Sequence, residues 1–175
     1  MKKFLIIGNI NAACTTEVFP FIKRGKIWLG TSKQGMGFLT NGEVGYVSNT
    51  CWLTNLDNLK YKKPLKLTKK YSPEIYKKYD NFDAVEVSKT KDIPMDYTGY
   101  MGVPITFALK YHPEQFEIIG CVYNNLKNPD ADKGLLLGEP VFVEGKKTPE
   151  QQCYLNGKPK FLRIIIKRKK NVYKN

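Results

Sequence analysis

The sequence is poor in the residues from which most catalytic and metal sites are built. Its 175 residues contain one histidine, His112, and four cysteines with no Cys-x-x-Cys pair among them. A Ser-His-Asp triad cannot be argued from a single histidine flanked by Tyr111 and Pro113, for which helix capping is the expected role. Scattered cysteines without a histidine at ligand spacing argue against a zinc site and predict four reduced thiols.

Long apolar runs are also absent. The run at residues 4–7 is far shorter than the roughly 20 residues needed to cross a bilayer, and no secretory signal is recognisable. We therefore expect a cytoplasmic protein that does not enter a membrane. Apolar residues make up 42% of the chain, which is typical of a folded domain rather than a disordered chain. The length suits one domain with a tail.

Acidic residues are few compared with basic ones. Lys and Arg number 29 against 16 Asp and Glu, which gives a net charge of +13. Such an excess attracts phosphate through counterion release, whatever the nucleotide sequence. A polyanion is therefore the expected partner. A basic surface that binds nothing would have the same net charge, so the charge alone does not decide.

Two stretches carry much of this charge. Residues 57–80 contain eight lysines against three acids, with interleaved tyrosines that can stack on bases or pack beneath the amines. Such a run more commonly forms a solvated lysine face that binds nothing. Residues 158–175 hold eight basic residues and no acid. The predicted DNA-binding side chains are Lys60, Lys62, Lys63, Lys66, Lys69, Lys70, Arg163, Lys167, Arg168 and Lys169.

Hydrophobic patterns predict short strands that alternate with short helices in the first part of the chain. Residues 3–8 form a continuous apolar run, typical of a central parallel strand covered on both faces. A helix capped by Thr15 or Thr16 and ending at Arg24 and Gly25 should follow, and then a strand at residues 27–29. This order indicates an α/β sheet.

The remaining elements are predicted from local signals. Asn-Gly pairs at residues 41–42 and 156–157 predict hairpin turns, and residues 46–56 form one long strand, straight or bent. Ser-Pro-Glu at residues 72–74 predicts the start of a helix. Further strands are expected at residues 84–87 and 116–123, a short helix at 104–110, and β-hairpins within 135–175.

Three segments resemble those of a known enzyme family: KKFLIIGN at residues 2–9, CWLTNLD at 51–57, and YDNFDAVEVSKTKDIPMDYTGYMGVPITFALKYHPEQFEIIG at 79–120. Together they resemble the EcoRI-like adenine-specific DNA modification methylases. The resemblance implies an α/β fold, the late part of a Rossmann-like methyltransferase sheet followed by a β-rich basic extension. It predicts a partial methyltransferase domain at residues 1–123, with the basic segment 57–80 inserted, and a β-hairpin extension with a basic tail at 124–175.

An adenine methyltransferase needs a Gly-rich loop for S-adenosylmethionine and an [Asp/Asn/Ser]-Pro-Pro-aromatic loop for the flipped base. The chain has neither. Asn-Pro-Asp at residues 128–130 lacks the second proline and the aromatic, and Gly-Met-Gly at 35–37 lacks the dinucleotide-loop spacing. In the family both motifs are expected ahead of the strand at residues 3–8. We therefore expect no catalytic, cofactor-binding or metal residue here, and S-adenosylmethionine to serve only the complete enzyme.

The family-like segments also offer candidates for the substrate side of an enzyme. Asn9 ends the first predicted strand, and in open α/β sheets the carboxyl ends of strands face the ligand crevice. For Trp52 and its neighbours, a core tryptophan with turn-forming residues is an equally good interpretation. The remaining candidates are Trp52, Asn55, Asp57, Tyr100, Pro104 and Thr106.

The residues and the resemblance together predict the C-terminal, DNA-recognition portion of a site-specific DNA adenine methyltransferase of a restriction-modification system, inactive by itself. A separately encoded N-terminal methyltransferase half is one expected partner, and an inactive remnant is the other outcome. A stand-alone nucleic-acid-binding protein without a catalytic role is the alternative from a different class. A fragment without function, with an exposed apolar edge at residues 4–7, is a third.

Overall fold

The computed structural model describes residues 2–31, 36–56, 63–122, 142–143, 146–147 and 152–169. Short strands dominate this part of the chain. The strands are β1 (Leu5–Asn9), β2 (Trp28–Thr31), β3 (Met36–Thr40), β4 (Glu43–Val47), β5 (Thr50–Thr54), β6 (Val85–Glu86), β7 (Tyr100–Pro104), β8 (Phe116–Val122), β9 (Phe142–Val143), β10 (Lys146–Lys147), β11 (Cys153–Leu155), β12 (Lys158–Lys160) and β13 (Arg163–Arg168). The helices are α1 (Phe19–Lys23) and the 3₁₀ helices Ile10–Cys14, Thr90–Asp92 and Ile105–Lys110.

The first sheet has the order β1-β5-β2, and both of its pairings are antiparallel. β1 lies at its edge, and the side chains of Leu5, Ile6 and Ile7 are about half exposed. The predicted strand is present, but the prediction of a covered, central, parallel strand is wrong. An apolar run indicates only that the side chains of a strand favour burial. It does not encode which element lies beside the strand or in which direction that element runs.

The hairpin β3-β4 joins β2 to β5. Its turn residues Asn41 and Gly42 have φ of 52° and 83°, as a tight two-residue hairpin turn requires, so the Asn-Gly prediction is confirmed. A second turn, at Asn49 with φ of 62°, separates β4 from β5. The strand predicted for residues 46–56, straight or bent, is instead divided between β4 and β5, because asparagine tolerates the left-handed conformation at this turn.

The predicted first helix is present but short. α1 has Pro20 in its first turn and ends before Gly25, whose φ is 65°. Val18 occupies the N-cap and makes no side-chain capping bond. The hydroxyls of Thr15 and Thr16 bond Ala12 and Glu17 instead, so capping by either threonine is wrong. Residues 72–76 likewise form one turn on the Ser72 carbonyl rather than the predicted helix.

The second sheet has the order β6-β7-β13-β8. β13 lies between β7 and β8 and is antiparallel to both, whereas β6 pairs with β7 in parallel. The hairpin β11-β12 turns at Asn156 and Gly157, with φ of 52° and 70°, which confirms the second Asn-Gly prediction. The fold is thus mixed, with mostly strands and few short helices, and β13 joins the late part of the chain to its middle.

One hydrophobic core joins the two sheets. It contains Leu29 and Leu53 from the first sheet and Val103 and Ile164 from the second. The 3₁₀ helix Ile105–Lys110, which confirms the helix predicted at residues 104–110, lies between them. The ring of Phe107 meets Phe116 edge to face, and Tyr111 stacks on Trp28.

The cysteines differ from the prediction of four reduced thiols. Cys14, which ends the first 3₁₀ helix, and Cys121 on β8 form a disulfide between two fully buried positions. Cys51 and Cys153 are free and buried. Burial raises the pKa of both thiols, that of Cys153 to about 12, so these two thiols stay protonated at neutral pH.

Candidate nucleic-acid interface

Residues 63–70 form an extended segment with its lysines facing solvent. Leu65 and Leu67 are partly buried against the core, and Lys66 between them is exposed. The side chain of Gln115 holds the segment by both backbone groups of Leu65: its Oε1 accepts from the Leu65 N–H at 2.8 Å, and its Nε2 donates to the Leu65 carbonyl at 2.7 Å. The alternation of leucine and lysine is thereby fixed to the surface of the protein.

Gln115 also brings the second basic stretch to the first. Its carbonyl accepts a hydrogen bond from the backbone N–H of Lys169, just past the end of β13, at 3.0 Å. Gln115 is itself buried, with 8% of its surface exposed. Two basic stretches about 100 residues apart in sequence therefore meet at one glutamine.

The predicted DNA-binding residues have several environments. Lys63, Lys66, Lys69, Lys70 and Lys169 are exposed. Lys167 and Arg168 are half-buried near the end of β13, where the Lys167 amine lies 5.4 Å from the ring centroid of Tyr100. This cation–π contact fixes the amine at the surface. The predicted residues Lys60, Lys62 and Asp57 lie outside the described residues.

A cleft of about 320 Å³ lies beside the basic segment. Lys69 and Lys70 line one part of it and Lys77 another. Among the described residues that line it, Glu86 and Asp92 are the two carboxylates, and Arg163 neutralises Glu86. The cleft therefore presents three exposed ammonium groups against one unneutralised carboxylate.

A second cleft, of about 350 Å³, adjoins the first at Ser88, which lines both. Hydroxyls of Ser88 and two threonines contribute to it, and no carboxylate is among the described residues that line it. Two predicted substrate-side residues, Pro104 and Thr106, line this cleft. The described residues that line it are Ser88, Lys89, Thr90, Lys91, Pro104, Thr106, Leu109 and Lys110.

We call the two clefts together the lysine groove, lined by Lys69, Lys70, Lys77, Lys89, Lys91 and Lys110. The sequence predictions missed the last four of these as site residues. The alternation Ser-Lys-Thr-Lys at residues 88–91 is a signal that could have found two of them, since alternating hydroxyls and amines suit phosphate oxygens. Lys110 has no such local signal, because only the 3₁₀ helix that ends there brings it to the groove.

Arg163, predicted to bind DNA, points into the protein and anchors the floor of the groove. Its Nε and Nη2 donate to the two carboxylate oxygens of Glu86 at 3.0 and 2.8 Å, and its Nη1 donates to the carbonyls of Phe161 and Leu162. The side chains of Arg163 and Glu86 are only 11% and 5% exposed. All the guanidinium nitrogens thus donate within the protein, which leaves none of them free to contact a phosphate.

Glu86 collects further hydrogen bonds. Ser88 Oγ donates to it at 3.0 Å, and the Tyr79 hydroxyl donates to its other oxygen. Burial alone would raise the pKa of Glu86, but the hydrogen bonds from Arg163 and Tyr79 outweigh burial and hold the pKa below its ordinary value of 4.5. The carboxylate is therefore charged whenever the groove is intact near neutral pH.

Acid should weaken the fold through Glu86. Because its pKa is lower in the folded chain, Glu86 contributes stability that is complete above pH 4.5 and is lost as pH falls below that value. Thermal unfolding between pH 7 and pH 3 should show a smaller acid-dependent fall in Tm for Glu86→Gln than for the wild type. Asp83→Asn, which alters an exposed pair with Lys78, is the control and should keep the wild-type profile. Parallel profiles for Glu86→Gln and the wild type would contradict the assignment.

Two other substrate-side candidates have structural partners. Asn9 caps the first 3₁₀ helix, its Oδ1 accepting from the Asn11 N–H at 2.9 Å. Asn55 holds the N-terminal residues: its Oδ1 accepts from Phe4 N–H at 2.8 Å, and its Nδ2 donates to the Lys2 carbonyl at 2.7 Å. Asn9 ends β1 and Asn55 follows β5, whereas Tyr100 lies on β7 and only Pro104 and Thr106 line the groove.

Trp52 and the tyrosines of the basic segment are also placed by packing. Trp52 is half-buried on β5, opposite Ile7 and Gly30 of its two neighbouring strands. The rings of Tyr71 and Tyr97 stack with centroids 4.3 Å apart, and the rings of Tyr71 and Tyr76 stack with centroids 5.7 Å apart. These rings pack on one another, so the described tyrosines favour a supporting role beneath the lysines over stacking on bases.

The lysine groove does not suit the methyl donor. S-adenosylmethionine carries a sulfonium cation, which the ammonium groups of the lysine groove would repel. Among the described residues, no three His, Cys, Asp or Glu side chains are placed to hold a metal ion. No helix in the same ranges is long and apolar enough to cross a bilayer.

Comparison with known proteins shows which family the chain resembles. The family described as adenine-specific methyltransferase EcoRI matches residues 1–169. The type II methyltransferase M.EcoRI of Escherichia coli is 41% identical over 189 residues, which cover 97% of this chain and 51% of the relative. M.MgeORF184P of Mycoplasma genitalium is 31% identical, over 95% of this chain and 57% of the relative. M.MpnI of Mycoplasma pneumoniae is 30% identical, over 98% and 58%.

This basic chain of mixed, mostly β structure is thus homologous to part of the type II adenine methyltransferases of restriction-modification systems. It belongs to the EcoRI family of adenine-specific methyltransferases, which confirms the resemblance found in the sequence. The chain spans about half the length of the curated relatives it matches. No solved structure matches it.

Proposed function

We propose that this chain is the DNA-recognition portion of a site-specific DNA adenine methyltransferase and that it binds duplex DNA along the lysine groove. The observation that carries this proposal is the junction of the two clefts at Ser88, which joins six lysines into one basic surface. Arg163 neutralises Glu86 beneath it, so the positive field is not cancelled from below. Family membership supplies the substrate class.

In the whole enzyme, a methyl group would pass from S-adenosylmethionine to an adenine turned out of the duplex. The lysines of this chain would hold the phosphates on either side, and phosphate contacts fix register and orientation rather than sequence. We further propose that residues 1–123 are the late part of a Rossmann-like methyltransferase domain and residues 124–175 its β-rich extension. Family membership supports the methyltransferase assignment.

We propose that the cofactor-binding and catalytic part packs on the apolar surface of β1 and the β3-β4 hairpin, and that the chain alone does not methylate DNA. The exposed side chains there include Leu5 and Ile6 on β1, at 53% and 52%, and Leu39 and Tyr46 on the hairpin, at 74% and 77%. Apolar patches of this kind mark interaction sites. A separately encoded N-terminal half, or further chain of the same protein, would cover them.

Removing two lysines from the groove should weaken DNA binding and flatten its salt dependence. For Lys69→Gln/Lys70→Gln we expect about tenfold lower affinity for a 20-base-pair duplex at 100 mM salt. The slope of log K against log salt should fall by about 1 for each lost phosphate contact. Fluorescence anisotropy at several salt concentrations measures both quantities.

The matched control is Arg24→Gln/Lys26→Gln, which removes the same charge from two residues after α1 that line neither cleft. It should alter the affinity and the slope far less. Equal losses in the two double variants would show that net charge alone attracts DNA and would contradict the groove.

The stand-alone nucleic-acid-binding alternative predicts the same DNA binding, so a second measurement separates it. Methyl transfer should appear when this chain is mixed with a cofactor-binding half from the same family and should be absent with either part alone. Weakening of that recovery by Ile6→Asp, on the exposed face of β1, would support the proposed contact. DNA binding without any recovered transfer would favour the non-catalytic alternative.

A further inference from the structure

The second cleft is lined by Thr90, whose buried hydroxyl has no partner among the described residues. Thr90 begins a 3₁₀ helix, and only 8% of its surface is exposed. Its Oγ1 makes no hydrogen bond with any residue that the structure describes. Buried polar groups are nearly always hydrogen-bonded, and an orphan of this kind requires an explanation. An unfilled partner in the cleft is the simplest one.

The surroundings of Thr90 define what that partner would be. Lys89 and Lys91 flank it in sequence, and Lys110 reaches the same cleft from another element. The hydroxyl of the exposed Thr106 also lines the cleft, whereas that of Ser88 already donates to Glu86. Three ammonium groups and the hydroxyls of Thr90 and Thr106, without a carboxylate among the described lining residues, form a donor-rich site for a tetrahedral oxyanion.

We propose that this cleft seats one backbone phosphate of the bound DNA, with the Thr90 hydroxyl donating to a phosphate oxygen and the lysines neutralising its charge. The inference rests on the proposed function and adds a particular contact to it. A lysine on a flexible stem attracts phosphate from many directions, whereas a buried hydroxyl has one position. Thr90 would therefore fix the register of the duplex, and the lysines would supply the attraction.

The test is Thr90→Val, which replaces a hydroxyl by a methyl group at nearly constant volume. Affinity for the 20-base-pair duplex should fall about tenfold, because a hydrogen bond to a charged oxygen is lost. The slope of log K against log salt should stay at the wild-type value, because no charge is removed. Lys89→Gln should show the opposite signature, with a slope smaller by about 1.

Thermal unfolding gives a second readout, because a structural role for the Thr90 hydroxyl would make the Tm of Thr90→Val fall. Removing an unpartnered buried hydroxyl relieves a desolvation cost, so the Tm of Thr90→Val should equal or exceed that of the wild type. A fall in Tm of several degrees would show that the hydroxyl is bonded within the fold and would overturn the inference. Thr40→Val, on the exposed β3-β4 hairpin, is the control and should keep wild-type DNA affinity.

The outcomes separate the inference from the proposal on which it rests. Wild-type affinity in Thr90→Val, with salt-sensitive binding by the wild-type chain, overturns the phosphate seat and leaves the groove standing. Failure of the wild-type chain to bind duplex DNA overturns both. Weaker binding at an unchanged salt slope and an undiminished Tm supports both.

Discussion

Replacing Arg163 with alanine should lower the free energy of unfolding by about 3–5 kcal/mol, because it leaves the Glu86 carboxylate buried without its cation. The loss includes two hydrogen bonds of 3.0 and 2.8 Å to that carboxylate and those to the carbonyls of Phe161 and Leu162. Urea denaturation followed by tryptophan fluorescence measures the change. Because a typical domain unfolds with a free energy of about 5–15 kcal/mol, this substitution would remove a large part of the stability.

The neighbouring Arg168→Ala is the matched control, since Arg168 lies on the same strand and no ion pair between its side chain and any described residue is seen. This substitution should lower the free energy of unfolding by less than about 1 kcal/mol, because it breaks no buried ion pair. The double variant Glu86→Leu/Arg163→Met should recover much of the loss, because an apolar pair of similar size needs no compensation. A cost below 1 kcal/mol for Arg163→Ala would show that Glu86 has another cation.

Gly102→Ala should lower the free energy of unfolding by about 2–4 kcal/mol, from overpacking and the loss of a buried hydrogen bond. A Cβ on Gly102 would lie 2.6 Å from Cε2 of Tyr79, closer than real contacts allow. The ring cannot stay in place, and its hydroxyl bond to Glu86 would be lost with it. Burial raises the pKa of Tyr79, so the phenol is a donor at any moderate pH.

Gly45→Ala is the control for this substitution. Gly45 lies on β4, and a Cβ there would meet nothing within 4 Å. Its stability should stay within about 0.5 kcal/mol of the wild type. The combination Gly102→Ala/Tyr79→Leu should be less destabilised than the sum of its single changes, because the clash involves the Tyr79 ring. Strict additivity would place the damage elsewhere.

Local signals predicted the turns and most of the strands. Asn41-Gly42 and Asn156-Gly157 reverse the chain where expected, because the preference for positive φ belongs to the residues themselves. The strand at residues 3–8 was predicted from its apolar run, but its edge position was not, since pairing depends on distant residues. The turn at Asn49, which splits a predicted strand, has only one asparagine as a signal and was missed.

The candidate site shows the same division. Lys69 and Lys70 were predicted from the charge of their segment, and both line the groove. Arg163 belongs to an equally basic stretch, yet it lies inside because β13 and β6 belong to one sheet, where Arg163 pairs with Glu86, 77 residues earlier in sequence. Charge density in a sequence shows how many cations a stretch carries and cannot show which of them are already paired.

By itself, the sequence determined the family of this protein, the excess of positive charge, and the two Asn-Gly turns. The tertiary structure alone decided which charges remain available, because pairing and burial depend on residues far apart in the chain. Gln115 joins two basic stretches, Ser88 joins two clefts, and Thr90 keeps a hydroxyl without a partner in the described structure. The first two bring distant segments of the chain together, and the third depends on burial within the fold. Local sequence patterns do not encode either.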